Sequence, residues 1–306
     1  MVSLSARVTQ TAVRMITSAT KAHDEEGLLK ATTRRPTAGH PPPHVRRKVD
    51  VRQRTVRGRP VYTLSKRGAA ANAGHLLYWC GGAYCHPPAF LHWYFVAALV
   101  DELGITCTVP LYPLAPEHSC AEGIAFASGI YRDLLAEYGA DQLYMGGDSA
   151  GGGLAVATWQ AVGTKPARLV LIAPWLDAGA SDPSQSAIER YDWLMDSSTI
   201  RTWGKWWAHG RPLDDPLVSP LFGDLSDFPR ALLICGTRDI LVADARRLAA
   251  IVPERIRYIE VPGLMHAYPL LTWIPESRRV REEIGAFFAC ERSPMNRGGH
   301  RAAYQL

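Results

Sequence analysis

The chain has 306 residues, 47% of them hydrophobic, so it can bury one large core as a single sizeable domain with an appendage. No apolar run reaches the roughly 18 residues that a membrane-spanning helix needs, and no such helix is expected. The net charge of +5 is uneven: residues 1–60 hold 13 Lys/Arg against 4 Asp/Glu. No aromatic residues interleave these basic residues, so nucleic-acid binding is not expected.

Residues 1–45 predict an N-terminal helical cap followed by a Pro-rich linker. Apolar residues recur at helical spacing through residues 1–35, and the first 23 residues contain no acidic side chain. We expect this helical arm to lie over the active site. A transit peptide or a helix on a membrane surface has a similar composition, so both alternatives stay open. The prolines between 36 and 44 exclude a helix or a central strand there.

Residues 46–290 predict an α/β domain. Alternating polar and apolar residues at Val49–Val56 and Val61–Leu64 predict an edge hairpin. Six uniformly apolar runs then predict buried parallel strands: His75–Trp79, Ile105–Val109, Leu143–Gly146, Leu169–Ala173, Ala231–Cys235 and Ile256–Val261. Helices are expected between and after them: Leu91–Leu103, Ala121–Tyr138, Ala150–Val162, Ala243–Ile251 and Glu276–Ala289. This order predicts a mostly parallel, doubly wound sheet of about eight strands with a helical cap.

An insertion at about 182–229 interrupts the alternation and is rich in tryptophan. We expect it to pack over the site together with the N-terminal helices. Trp203, Trp206 and Trp207 stand at i, i+3 and i+4, so they share one helical face. They are candidates for an apolar substrate pocket, and plain core packing is the alternative. Residues 291–306 predict a polar C-terminal tail.

The segment Leu143–Gly152 carries the clearest chemical signal. Its apolar run stops at two glycines, and Ser149 stands in a Gly-x-Ser-x-Gly frame before a helix-like run. A sharp strand-to-helix turn exposes such a serine hydroxyl in a strained conformation that only small neighbours tolerate. Five-residue matches also arise by chance, but here the strand and the helix that the motif requires are both predicted. Ser149 is therefore the candidate nucleophile.

A serine needs a base and an orienting carboxylate, which follow the nucleophile on loops after later strands. Three histidines lie downstream, and only His266 follows a predicted strand; the others stand in the insertion and the tail. Asp239 likewise follows the strand Ala231–Cys235. Asp244 competes with Asp239, but we expect it to cap the next helix. The predicted base is His266 and the predicted acid is Asp239.

The turn Cys80-Gly81-Gly82-Ala83-Tyr84 follows the predicted strand His75–Trp79. Adjacent glycines allow backbone N–H groups to approach a substrate oxygen, although a merely flexible turn has the same composition. We assign Gly81 and Gly82 as oxyanion-hole residues. Ala150 supplies the third N–H group, because it starts the helix after the nucleophile. Tyr84 is a further candidate pocket residue.

Taken together, these motifs resemble the hormone-sensitive lipase-like family of α/β-hydrolase esterases, over roughly Leu76 to Phe288. The matching segments are Gly147–Gly152, the Gly-Gly-Ala-Tyr turn, Tyr112–His118, Asp215–Leu221, Gly236–Asp239 and Met265–Tyr268. The resemblance implies an α/β-hydrolase fold and a serine carboxylesterase whose triad is Ser149, Asp239 and His266. In one respect the chain departs from the family. The family turn usually begins His-Gly-Gly, whereas Cys80 stands here, which is expected to affect the rigidity of the loop rather than its donors.

The expected reaction is hydrolysis of short- to medium-chain acyl esters through an acyl-enzyme, without a metal or organic cofactor. An amidase or peptidase on the same fold is an alternative, and so is a non-catalytic binding protein like the plant gibberellin receptors, which lack the histidine. The family suggests a possible homodimer through the last strand. The six scattered cysteines include no CxxC pair, so a disulfide framework or a zinc site is not expected, and a reducing, cytoplasmic location is predicted.

Overall fold

The computed structural model describes residues 2–20, 25–34, 39–68 and 74–290. The predicted tail 291–306 and part of the Pro-rich linker lie outside these residues. Eight strands form one sheet: β1 (Val49–Val56), β2 (Arg59–Lys66), β3 (His75–Trp79), β4 (Thr106–Pro110), β5 (Leu143–Asp148), β6 (Arg168–Ile172), β7 (Ala231–Arg238) and β8 (Ile256–Met265). Their order across the sheet is β1-β2-β4-β3-β5-β6-β7-β8.

The sheet is parallel except at one edge. β1 pairs with β2 and β2 pairs with β4 in antiparallel register, and the remaining neighbours run parallel. β3 and β5 are buried along their whole length, because helices cover both faces of the sheet. β1 is mostly exposed on the outer edge, where its arginines face water. The predicted mostly parallel, doubly wound sheet is confirmed.

Ten α-helices are described. The first three are α1 (Leu4–Thr20), α2 (Glu25–Thr33) and α3 (Pro43–Lys48), followed by α4 (Phe90–Leu103), α5 (Cys120–Tyr138), α6 (Ala150–Val162), α7 (Gln185–Ile188), α8 (Ser197–Ala208), α9 (Val242–Ile251) and α10 (Pro275–Ala289). Ser119 and Glu122 form a capping box that starts α5. Gly104 and Gly163 end α4 and α6 in the left-handed conformation.

Four strands are longer than the sequence predicts (β2, β5, β7 and β8), and the extensions of β7 and β8 place the candidate acid and base directly at the strand ends. β7 continues past Cys235 to Arg238, and β8 continues past Val261 to Met265, with an irregular register between Gly236 and Arg238. A glycine and a proline within β8 conceal this extension from a hydrophobicity pattern. Asp239 and His266 therefore follow their strands directly.

Two hydrogen bonds tie the start of α1 to the start of α10. The Ser3 N–H, just before α1, donates to Glu276 Oε1 at 2.6 Å, and Trp273 Nε1, just before α10, donates to Thr9 Oγ1 at 3.1 Å. Ala6 and Gln10 are buried and Val13 packs partly against the core, whereas four large apolar side chains of this helix are exposed: Leu4, Val8, Met15 and Ile16. The predicted helix is present, but most of its large apolar side chains face solvent. Within the described segments, no helix combines the length and the apolar character needed to span a bilayer.

The insertion at 182–229 forms α7, α8 and intervening turns. Asp196 starts α8 by accepting the Thr199 N–H at 2.8 Å. The guanidinium carbon of Arg14 on α1 lies 5.8 Å from the centre of the Trp193 ring, so the N-terminal arm contacts the insertion. All six cysteines carry free thiols, and only Cys290 is exposed.

Candidate active site

Ser149 occupies a tight turn between β5 and α6. Its backbone has φ 53° and ψ −126°, which is strained for a residue with a side chain. The Ser149 N–H donates to the Ile172 carbonyl at 2.9 Å, and its own carbonyl accepts the Trp175 N–H at 2.9 Å. A Cβ on Gly151 would lie 2.5 Å from the Trp79 carbonyl carbon, so only glycine fits there. The surrounding backbone thus holds the serine in a conformation that an isolated turn would not keep.

Asp239 and His266 form a buried pair at the carboxyl edge of the sheet. His266 Nδ1 lies 2.9 Å from Asp239 Oδ2, and Asp239 is 0% exposed. The other carboxylate oxygen of Asp239 accepts the Leu241 N–H at 2.9 Å, and the Cys235 thiol lies 3.5 Å from Oδ2. The imidazole therefore carries its hydrogen on Nδ1, which leaves Nε2 as an acceptor.

The protonated form of His266 is stabilised by three carboxylates. Burial lowers the pKa of this histidine, but the negative charges of Asp239, Asp192 and Asp148 outweigh burial, so its pKa lies above the ordinary value. Asp148 directly precedes Ser149 and ends β5. The imidazole is thus within electrostatic reach of the strand that carries the candidate nucleophile.

The glycine turn after β3 packs directly against the nucleophile turn. A Cβ on Gly81 would collide with Asp148 Oδ2 and would lie 2.9 Å from Ser149 Cβ. Gly82 has φ 133°, a conformation that side chains rarely adopt, and its carbonyl accepts the Cys85 N–H at 2.9 Å. Ala150 begins α6, so helix geometry provides no internal acceptor for its N–H group. The three predicted oxyanion-hole residues therefore belong to two turns that border Ser149.

A buried polar cluster that the sequence analysis missed holds these two turns together. Ala89 N–H donates to His92 Nδ1 at 3.0 Å, so His92 Nε2 carries the hydrogen that faces Asp148 Oδ2 at 3.2 Å. The Tyr78 hydroxyl donates to Asp148 Oδ1 at 2.9 Å. Burial alone would raise the pKa of Asp148, but His92, Tyr78 and the Gly81 N–H group favour the carboxylate and lower it.

The sequence alone did not indicate that His92 and Asp148 form a contact. A lone histidine in the apolar run of α4 gives no hint of its partner, and Asp148 occupies the variable position of the serine motif. Cys80, at the position where the resemblance predicts a histidine, is buried, and burial raises the pKa of its thiol. Its carbonyl accepts the Tyr112 hydroxyl at 2.9 Å, which anchors the start of the glycine turn.

A second missed residue, Asp192, comes from the cap insertion. Its Oδ2 atom accepts the Ile240 N–H at 2.9 Å, so this carboxylate is bonded to the residue after Asp239. Burial first, and then the charge of Asp239, raise the pKa of Asp192 to about 6. No local motif marks Asp192, and only the folded arrangement brings the insertion to the acid loop.

Asp244, the competitor for the acid role, has a different place from the one predicted. The residue at the N-cap of α9 is Leu241, and Asp244 lies inside the first turn, so the predicted capping role was wrong. Asp244 Oδ2 accepts the N–H groups of Leu176 and Asp177 at 3.0 Å each. This buried carboxyl, whose pKa burial raises well above the ordinary value, therefore supports the loop after β6.

The candidate pocket residues fall into two groups. Tyr84 stacks on Trp207 with ring centres 4.0 Å apart and planes 2° apart, and Trp207 is 1% exposed. Trp203 and Trp206 lie on the same helix but remain half-buried. The His86 ring lies edge-on to Trp203 at 6.4 Å, which brings Trp203 close to the segment after the glycine turn. The alternative of core packing applies to Trp207, whereas Trp203 and Trp206 keep accessible surface.

The other downstream histidines are not in comparable positions. His209 is exposed at the C-cap of α8, and His300 lies outside the described residues.

Comparison with known proteins agrees with this architecture. A family model described as "alpha/beta hydrolase fold" matches residues 76–270. An acetyl-hydrolase of Streptomyces hygroscopicus is 33% identical over 234 residues, covering 72% of this chain and 77% of that protein. An esterase of Acinetobacter venetianus is 28% identical over 285 residues, covering 86% and 94%. A triacylglycerol lipase of Mycobacterium tuberculosis is 31% identical over 200 residues, and the match spans 63% of this chain but only 41% of that lipase.

Solved structures show the same fold. A crystal structure of an esterase from the bacterial hormone-sensitive lipase family superposes with a TM-score of 0.81 at 23% identity, covering 94% of this chain and 98% of that one. The family match extends over more than half of the chain and includes the serine turn, the glycine turn and both loops that carry Asp239 and His266. The chain belongs to the alpha/beta hydrolase fold family, as a carboxylic ester hydrolase that resembles the hormone-sensitive lipase-like esterases.

Proposed function

We propose that the protein hydrolyses short- to medium-chain acyl esters through a Ser149–His266–Asp239 triad. The observation that carries the proposal is the buried Asp239–His266 hydrogen bond, on the two loops that follow β7 and β8, at the same edge of the sheet as the strained Ser149. Asp239 accepts from Nδ1, so it leaves Nε2 of His266 as the atom that takes the serine proton.

The reaction then proceeds in two steps. Ser149 Oγ attacks the ester carbonyl while its proton moves to His266, and the protonated His266 gives that proton to the leaving alkoxide. Water, deprotonated by His266, next attacks the acyl-enzyme, and His266 gives this proton to the Ser149 oxygen as the carboxylic acid leaves. The charge of Asp239 stabilises the imidazolium that forms in both steps.

Three backbone amides are proposed to bind the negative oxygen that develops in each step: those of Gly81, Gly82 and Ala150. The contact between the glycine turn and Ser149 supports this assignment, since it keeps the donors beside the reacting carbonyl. The Gly81 N–H also interacts with the Asp148 carboxylate and favours its charged form. The N–H groups of Gly82 and Ala150 are therefore the more available donors to the negative oxygen.

The acyl preference is inferred from the accessible aromatic side chains of α8. Trp203 and Trp206 present ring surface on this helix, and the buried stack of Trp207 on Tyr84 holds the helix in place. Rigid aromatic walls favour short and medium chains, so butyrate is expected to be cleaved faster than long-chain esters. A panel of p-nitrophenyl esters of increasing acyl length tests this, and faster cleavage of long chains would contradict it.

Ser149→Ala is the decisive test of the nucleophile. The variant is expected to lose p-nitrophenyl butyrate hydrolysis and covalent labelling by a fluorophosphonate probe together. Ser128→Ala is a matched control, because Ser128 is also buried and its hydroxyl has no hydrogen-bond partner among the residues that the structure describes, so its loss should leave both readouts intact. Full turnover by Ser149→Ala would refute the triad.

The same labelling experiment separates the alternatives. A binding protein on this fold would not react with the probe, whereas the Asp239–His266 pair favours a reactive serine. An amidase would react, so p-nitrophenyl butyrate and its anilide must be compared, and we expect the ester to be strongly preferred. Homodimerisation and membrane-surface contact by the N-terminal arm stay predictions.

A further inference from the structure

Asp192 links the cap insertion to the loop that carries the proposed acid. Its Oδ1 atom accepts the N–H groups of Leu194 and Met195 at 2.8 and 3.1 Å, which fold the insertion into a tight turn. Its Oδ2 atom accepts the Ile240 N–H at 2.9 Å, from the residue that follows Asp239. One carboxylate thus connects two segments that are 48 residues apart.

Asp192 is buried, so its negative charge can act on His266. Asp192 is 5% exposed, so water screens its charge only weakly. Asp239 and His266, on the loops after β7 and β8, are close enough for their charges to shift the pKa of Asp192. Within the insertion, Glu189 is already engaged by the Ser197 N–H and hydroxyl.

Two arginines lie over the ring of Trp193, the residue that follows Asp192. The neighbouring Trp193 ring has the guanidinium of Arg238 at 5.2 Å and that of Arg14 at 5.8 Å. Asp192 accepts hydrogen bonds from the backbone N–H groups of Leu194, Met195 and Ile240. The charges that act most on Asp192 are those of Asp239 and His266.

We propose that Asp192 is a positioning residue of the proposed triad, which locks the Asp239 loop to the cap and adds a second negative charge that stabilises protonated His266. This inference rests on the proposed function. Because burial and Asp239 hold the pKa of Asp192 near 6, its charge is present at neutral pH and is lost in mild acid. The cap insertion therefore contributes to catalysis through the chemistry of the triad as well as through the pocket walls.

Asp192→Asn tests the proposal, with Asp196→Asn as the matched control. Asp196 is four residues away in the same insertion, and asparagine preserves its capping role, so the control removes one negative charge without touching the triad. In Asp192→Asn the acid limb of kcat/KM for p-nitrophenyl butyrate should move about one pH unit lower, and kcat should fall about tenfold or more because the acid loop is misplaced. The control should change neither.

Two further variants keep the test decisive if Asp192→Asn does not fold. Asp192→Ser retains a short acceptor for the Leu194 and Met195 N–H groups but has no charge, so its acid limb should also move down. Asp192→Glu retains the charge, so the acid limb of its kcat/KM profile should lie near that of the wild type even if kcat falls.

An Asp192→Asn or Asp192→Ser protein that loses only thermal stability, with an unmoved limb, would overturn the proposal and leave Asp192 a structural residue. Labelling by the fluorophosphonate probe, measured on the same proteins, keeps this failure distinct from failure of the triad. If Ser149 remains essential while the limb does not move, only the role of Asp192 is lost.

Discussion

His266 Nδ1 lies 2.9 Å from Asp239 Oδ2, and this contact joins the loops after the last two strands of the sheet. Asp239 is fully buried, and its other oxygen is held by the Leu241 N–H, so neither the carboxylate nor the imidazole is free to turn. A base whose tautomer is set in this way is what an activated serine requires.

Asp239→Asn should lower kcat by about a thousandfold or more, with a small change in KM. Asparagine nearly preserves the shape but cannot stabilise the imidazolium, and its amide favours the wrong tautomer of His266. Steady-state kinetics with p-nitrophenyl butyrate measures the effect. Asp227→Asn, which removes an exposed partner of Lys165, should have wild-type kinetics. A loss of less than tenfold in Asp239→Asn would exclude it as the orienting acid.

The pH dependence of kcat/KM should have its acid limb above about pH 6.5, the ordinary histidine value. The pKa of His266 is raised because Asp239, Asp192 and Asp148 outweigh the effect of burial. The base must be neutral to accept the serine proton, so activity is present at higher pH and falls as pH drops through this raised value. A profile from about pH 5 to 9 measures it, and a limb near pH 5 would contradict the assignment.

Gly81→Ala should lower kcat by about a hundredfold or more. The added Cβ would lie 2.8 Å from the Asp148 carbonyl oxygen and 2.9 Å from Ser149 Cβ, so the turn must move away from the nucleophile. Gly285→Ala provides the control, because its Cβ meets the flexible end of Leu103 at 2.7 Å. Both proteins should be compared by kinetics and by thermal melting. Unchanged kcat in a folded Gly81→Ala protein would show that the turn does not contribute to the oxyanion hole.

Replacement of Trp207 should mainly lower stability, whereas replacement of Trp203 should mainly change the acyl-chain preference. Trp207 is fully buried and stacked on Tyr84, so Trp207→Ala should lower the free energy of unfolding by about 3–5 kcal/mol in urea. Trp203 is only half-buried, so Trp203→Ala should cost less stability and instead raise the rate on octanoate relative to butyrate. An unchanged ratio of these two rates would remove Trp203 from the pocket wall.

The sequence by itself determined the alternation of strands and helices, because apolar runs and turn residues are local features. It also indicated that Ser149, Asp239 and His266 follow strands, since each parallel strand ends at the same edge of a sheet. The outward face of α1 was not predictable, because apolar spacing shows that a helix has a face but not what that face contacts.

Only the tertiary structure decided which polar groups meet. The full length of β8 depends on its pairing with β7, and the His92–Asp148 contact depends on where α4 crosses the sheet. Asp192 reaches the Asp239 loop only because the insertion folds back over 48 residues. Burial and long-range hydrogen bonds set the charges of these groups, and neither quantity is encoded in the residues next to them along the chain.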